Sequence, residues 1–152
     1  MARSKRAAAG VNALIGIVIV AHGGLAREFL AAVEHVVGRQ AGLCAVSIEP
    51  ECDRIAKQQQ ICDAADSVDT GDGVIVVTDM FGGSPSNLSL RACRPDMRRI
   101  IYGANLPLLI KLAKSRHLPL NEAVHSALMA GRKYLDSMAG PQPDLKLASG
   151  GR

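Results

Sequence analysis

Two short segments of this chain bring together residue types that suit group transfer. Ala21-His22-Gly23-Gly24 closes one apolar run, and Asp79-Met80-Phe81-Gly82-Gly83-Ser84-Pro85-Ser86-Asn87 follows another. A neutral imidazole carries a lone pair near physiological pH and can form a covalent adduct, which makes His22 a candidate nucleophile. A carboxylate such as Asp79 can accept the proton of one ring nitrogen, fix the tautomer and leave the other nitrogen free to attack. A phosphoryl group on that histidine needs hydrogen-bond donors. Gly82, Gly83 and Ser84 can supply them, because glycines let the backbone approach closely ahead of a helix N-terminus and Ser84 adds a hydroxyl. Gly23 and Gly24 prepare a second helix start in the same way. The competing reading of each feature is structural: a histidine after a strand is more often a scaffold residue, a Gly-Gly-Ser-Pro turn is usually a loop with a helix cap, and Asp79 could cap local amides in a turn. Their coincidence at two strand ends favours chemistry.

Those strand ends need a scaffold, and the remaining pattern supplies one. Leu14–Val20, Gly73–Thr78 and Arg99–Gly103 are apolar, β-branched runs without alternation, which suits strands covered on both faces of a parallel sheet. Leu43–Ile48 is a weaker strand nearer an edge. Between them lie helical patterns, Leu25–Val37 with Leu25, Phe29, Leu30, Val33, Val36 and Val37 inward, and Arg54–Val68 with Ile55, Ile61, Cys62 and Ala65 inward. Gly38 and Gly71 stand where these helices end. A third helix opens at Ser84 with Pro85 in its first turn and stops before Pro95. Leu108–Lys114 and, after Pro119, Leu120–Met138 complete the set. Alternating strands and helices imply an α/β fold, an open, mainly parallel sheet of four strands with room for a fifth and with helices on both faces. The site of such a sheet lies beyond the carboxyl ends of its strands where the order reverses, and both candidate segments converge there.

Composition narrows the function classes. The 152 residues, 48% of them hydrophobic, suit one domain. The formal charge of +4 comes from the ends: residues 1–12 hold Arg3, Lys5 and Arg6 without an acid, and residues 13–138 hold thirteen basic and thirteen acidic side chains. A nucleic-acid-binding body is therefore disfavoured. Residues 1–12 read as a basic flexible extension, 13–138 as the domain, and the Gly/Pro-rich 139–152 as a flexible tail. Arg3-Lys5-Arg6 before an apolar run imitates a secretory signal, but cleavage there would delete the first strand, and no apolar stretch spans a bilayer, so a soluble cytoplasmic protein is expected. Cys44, Cys52, Cys62 and Cys93 form no CxxC pair and have no histidine at ligand spacing, so neither a metal site nor a bound cofactor is expected, and the cysteines read as reduced core residues. No Gly-Lys-Ser/Thr loop is present to hold a nucleotide triphosphate, so the phosphoryl donor should be another protein. His35, His117 and His125 fall away from the crevice and read as surface residues. Arg98-Arg99 reads as a strand lead-in, and Met80-Phe81 either packs under the loop or offers an apolar contact to a partner.

The strand ending Val18-Ile19-Val20-Ala21-His22-Gly23 and the segment Thr78 to Asn87 resemble the two signatures of mannose-family phosphotransferase system (PTS) IIA components, with similarity from about Leu14 to Met138 that includes Gly103-Ala104-Asn105-Leu106-Pro107. The resemblance implies a flavodoxin-like sheet, a homodimer, and a phosphoryl carrier of a phosphoenolpyruvate-dependent sugar phosphotransferase system. It implies phosphorylation of His22 on Nε2 by the phosphocarrier HPr, with Asp79 bonded to Nδ1 and Ser84 near the phosphoryl oxygens. Two features depart from the pattern. The segment after Met138 offers little strand character beyond Leu145-Lys146-Leu147 for a dimer-exchanged strand, and no IIB domain follows, so the acceptor is expected to be a separate IIB protein or the phosphorylation state itself to be a regulatory output. The rivals are the phosphoryl donor subunit of a PTS-dependent dihydroxyacetone kinase, whose second loop typically lacks Gly82-Gly83-Ser84-Pro85, and a small-molecule-binding module with Glu49 as a ribose contact, which lacks the GxGxxG fingerprint.

Overall fold

A computed structural model describes residues 13–80, 82–93 and 96–140. Four strands, β1 (Gly16–His22), β2 (Leu43–Ile48), β3 (Val74–Thr78) and β4 (Arg98–Ile101), form one sheet in the order β2-β1-β3-β4, and every neighbouring pair is parallel. The helices are α1 (Leu25–Val37), α2 (Arg54–Val68), α3 (Ser84–Ser89, continued by a 3-10 turn over Leu90–Cys93), α4 (Leu106–Lys114) and α5 (Leu120–Lys133).

The strand alternation hidden inside each apolar run builds two cores. Successive side chains point to opposite faces. Ile15, Ile17, Ile19 and Ala21 therefore pack with Ile75, Val77 and the buried faces of α1, α4 and α5, whereas Val18 and Val20 pack with Val74, Val76 and the buried faces of α2 and α3. The chain leaves β1 for one face through α1 and leaves β3 for the other through α3, so the order reverses between β1 and β3. The crevice above that pair is the switch point.

Several expected boundaries and orientations are corrected. Strand β1 starts at Gly16 and runs on through His22, which pairs with Ile48, so His22 is the last strand residue. Helix α4 starts at Leu106 because Asn105 accepts the Leu108 amide at 2.9 Å and caps it. Helix α5 ends at Lys133; residues 134–138 are all exposed, the apolar Tyr134, Leu135 and Met138 included, so no burial is gained that would extend the helix. In α2 the buried residues are Ile61, Ala65 and Val68, one stripe at helical spacing, while Ile55 lies about 120° around the helix from Ile61 at 100° per residue and is 78% exposed. Leu25 and Val36 likewise lie at the edge of the α1 stripe and are exposed.

Arg98 is buried in β4, where its guanidinium donates to Asp66 at 2.6 Å, Asp69 at 3.2 Å and the Ala92 carbonyl at 3.0 Å, fastening the end of α2 to the sheet. Cys44, Cys52, Cys62 and Cys93 are half-buried free thiols packed against the α2-side core; burial raises Cys44 and pushes Cys93 up to about 11. His35, His117 and His125 are exposed. The extensions 1–12 and 141–152, with Leu145-Lys146-Leu147, lie outside the described residues.

Candidate active site

The turn after β1 is fixed on both sides. The Gly23 amide donates to the Ile48 carbonyl at 2.9 Å, which ties it to the end of β2, and Gly23 adopts φ 55°, a left-handed conformation that glycine accepts without a Cβ clash. Gly24 then stands at the N-cap of α1. The sequence thus turns sharply right after His22 and leaves its ring half exposed at the strand end.

Asp79 follows β3 and meets this ring. His22 Nδ1 lies 2.7 Å from Asp79 Oδ2, the His22 amide donates to the same oxygen at 3.0 Å, and the Met80 amide donates to Oδ1 at 2.9 Å. Burial of the carboxylate works against its ionisation, but the hydrogen bonds from the His22 amide and ring, joined by the Met80 amide, outweigh that and hold its pKa below the ordinary value. An ionised carboxylate can only accept, so Nδ1 carries a proton, and in the neutral form of the imidazole the lone pair is then on Nε2. The expected pair is brought together, and Asp79 also caps a local amide, so the two readings of this residue coexist in one side chain.

The second loop closes over the ring. Gly82 has φ 78°, and Gly83 is the N-cap of α3. A Cβ built on Gly83 would stand 3.2 Å from His22 Cε1 and 3.6 Å from Nε2, so only hydrogen fits comfortably between this backbone and the imidazole. Ser84 shares with His22 and Gly23 a cavity of about 360 Å³ whose other walls are Ile48, Glu49, Pro50, Cys52 and Arg54. Neither the Ser84 hydroxyl nor the amides of Gly82, Gly83 and Ser84 donate to an acceptor among the described residues, whereas the Gly23 amide is already committed to Ile48. Gly23 therefore shapes the site, and the second loop carries its available donors. Met80 is exposed at the rim; Phe81 lies outside the described residues.

Sequence reasoning missed the wall made by the β2–α2 connection. Its signal was the parallel pairing itself: β2 adjoins β1, so the segment after Ile48 must open beside His22. Glu49, weighed as a ribose contact, pairs instead with Lys57 at 3.2 Å. Among the described residues no cluster of three or more His, Cys, Asp or Glu could hold a metal ion.

A family model described as the PTS system fructose IIA component matches residues 16–129. The mannose-specific EIIAB component of the Escherichia coli (strain K12) PTS is 28% identical over 127 residues, covering 82% of this chain and 39% of that protein, so the chain spans well under half the length of the curated relatives it matches. The PTS IIA protein associated with the fucose utilization operon from Streptococcus pneumoniae is 30% identical with a TM-score of 0.68, covering 78% of this chain and 93% of its own. The mannose/sorbose specific IIA subunit from Enterococcus faecalis, 24% identical, shares the fold with a TM-score of 0.75 over 85% of this chain and 98% of its own. The chain belongs to the IIA component family of the phosphotransferase system.

Proposed function

We propose that residues 13–138 form a phosphoryl carrier that accepts a phosphoryl group on Nε2 of His22 from the phosphohistidine of HPr and hands it to a IIB component of a sugar phosphotransferase system. The observation that carries this reading is the 2.7 Å contact of His22 Nδ1 with an ionised Asp79, which makes Nε2 the lone-pair nitrogen of the neutral imidazole. In the transfer, the bond from phosphorus to the donor imidazole breaks as the bond to Nε2 forms. Asp79 balances the positive charge that develops on the ring, and the donors of Gly82, Gly83 and Ser84 receive the phosphoryl oxygens, with Gly23 and Gly24 shaping the near side. The carrier works in the cytoplasm as a homodimer and does not enter the membrane; no described helix is long and apolar enough to cross one.

The test is labelling by phosphoenolpyruvate with enzyme I and HPr. We expect acid-labile, base-stable label on the wild type, none from ATP alone, and none on His22→Ala. Undiminished label on His22→Ala would overturn the proposal.

A further inference from the structure

The cavity beside His22 contains a cation that the two glycine loops do not supply. Arg54, the first residue of α2, lines the same cavity as the His22 ring and Ser84. Of the acids around it, Glu49 pairs with Lys57 at 3.2 Å, Asp53 Oδ1 caps the Ile55 and Ala56 amides at 3.0 and 3.1 Å, and Asp79 holds His22, while Glu51 is exposed and forms no ion pair among the described residues. Among the described residues no carboxylate lies within ion-pair distance of the Arg54 guanidinium. Its place is also the wrong end of a helix for a cation, since a helix N-terminus favours negative charge. Helix stability therefore gives no reason for an arginine here.

A guanidinium presents a rigid fork of N–H donors that matches two oxygens of a phosphoryl group. We infer that Arg54 is a further phosphoryl-binding residue, donating to the oxygens of the group carried on His22 Nε2 and, in the unmodified protein, to inorganic phosphate in the same cavity. The inference rests on the carrier reading for its first half only. No proton moves to or from Arg54: the P–N bond to the donor breaks, the P–Nε2 bond forms, and the guanidinium offsets the charge on the peripheral oxygens before and after. A lysine at this position would keep the charge and lose the fork, so the expected order of binding is arginine, then lysine, then glutamine.

The experiment titrates inorganic phosphate at neutral pH and low salt into isotope-labelled wild type, Arg54→Lys, Arg54→Gln and Lys114→Gln, following the His22 ring and the Gly82 to Ser84 amides by NMR. Lys114 lies in the last turn of α4, two residues before the Arg116 carbonyl that receives the amide of Ile15, at the amino end of β1 and so at the opposite end of the strands from His22; its variant removes equal charge remotely. Arg54→Gln should weaken phosphate binding roughly three- to tenfold, with Arg54→Lys between, and Lys114→Gln should match the wild type. The thermal midpoint of Arg54→Gln should be unchanged or higher, and its phosphorylated form should hydrolyse several-fold faster. Wild-type phosphate affinity and wild-type phospho-form lifetime in Arg54→Gln would overturn the inference. If even the wild type takes no label from HPr, the carrier reading fails, and the phosphate titration alone then upholds or overturns the contact with Arg54.

Discussion

The reactivity proposed for His22 rests on one carboxylate with three donors. Oδ2 of Asp79 receives both the amide and the ring of His22 while Oδ1 is turned to Met80, so the carboxylate is fixed from both sides and cannot rotate away from the imidazole. Asp79→Asn should fold, but the amide can present its NH2 to Nδ1 and favour the tautomer that protonates Nε2. Transfer from HPr should fall roughly 10- to 1,000-fold, less than the loss for the same change in a serine-protease triad, because phosphoryl transfer leans more on positioning and charge. Stopped-flow or quench kinetics check this, and wild-type rates in a folded variant would reduce Asp79 to a turn residue. The same contacts give a pH signature. Since the folded pKa of Asp79 is depressed, its stabilising contribution is complete above the ordinary carboxylate value of about 3.9 and is lost as pH falls through the lower folded value. Urea midpoints measured from mildly acidic pH downward should therefore fall more steeply in the wild type than in Asp79→Asn; parallel curves would mean that Asp79 is not held as described.

At the scale of elements, the short α3 and the turn before it matter for closeness rather than for length. Gly83 has φ −81° and ψ 172°, a conformation open to any residue, so Gly83→Ala is a purely steric test. Its Cβ would press on His22 Cε1 at 3.2 Å. We expect stability to change by less than about 1 kcal/mol and transfer to slow at least about tenfold, because a small displacement of a reacting atom is costly; normal transfer would show that the loop does not hold the ring. Helix α2 gives the complementary test of packing. Ile61→Ala should cost about 2–5 kcal/mol, whereas Ile55→Ala should stay within about 0.5 kcal/mol, as read by denaturant midpoints, given that Ile61 is fully buried and Ile55 is 78% exposed. The sequence pattern made both residues inward-facing because it marks hydrophobicity, and only the phase set by Ile61, Ala65 and Val68 separates them. The limits of α1, β2 and α2 were legible because a helical or apolar pattern begins and ends at each of them, with Gly38 just past α1 and Gly71 soon after α2. The end of α5 was not, since residues 134–138 remain helix-compatible and stop only for want of something to pack against.

Across the whole molecule, the site exists because two loops far apart in sequence meet where the strand order reverses. That much follows from the sequence: two apolar runs ending in His22-Gly23-Gly24 and Asp79 to Ser84 must adjoin in a doubly wound sheet, and the structure brings His22, Asp79 and Gly83 into contact and sets Ser84 on the same cavity. The third wall was less legible, because Glu49 to Arg54 carries no glycine motif and gains its place only from the pairing of β2 with β1. The proposed carrier holds phosphate on the outward nitrogen of one histidine while the other nitrogen stays bonded to Asp79. Heteronuclear NMR of the protein phosphorylated through HPr reads this directly, through phosphorus coupling to the ring nitrogens and protons. A single phosphohistidine is expected, at His22 Nε2, with Nδ1 still protonated; phosphate on Nδ1, on His35, His117 or His125, or on no histidine at all would overturn the carrier proposal.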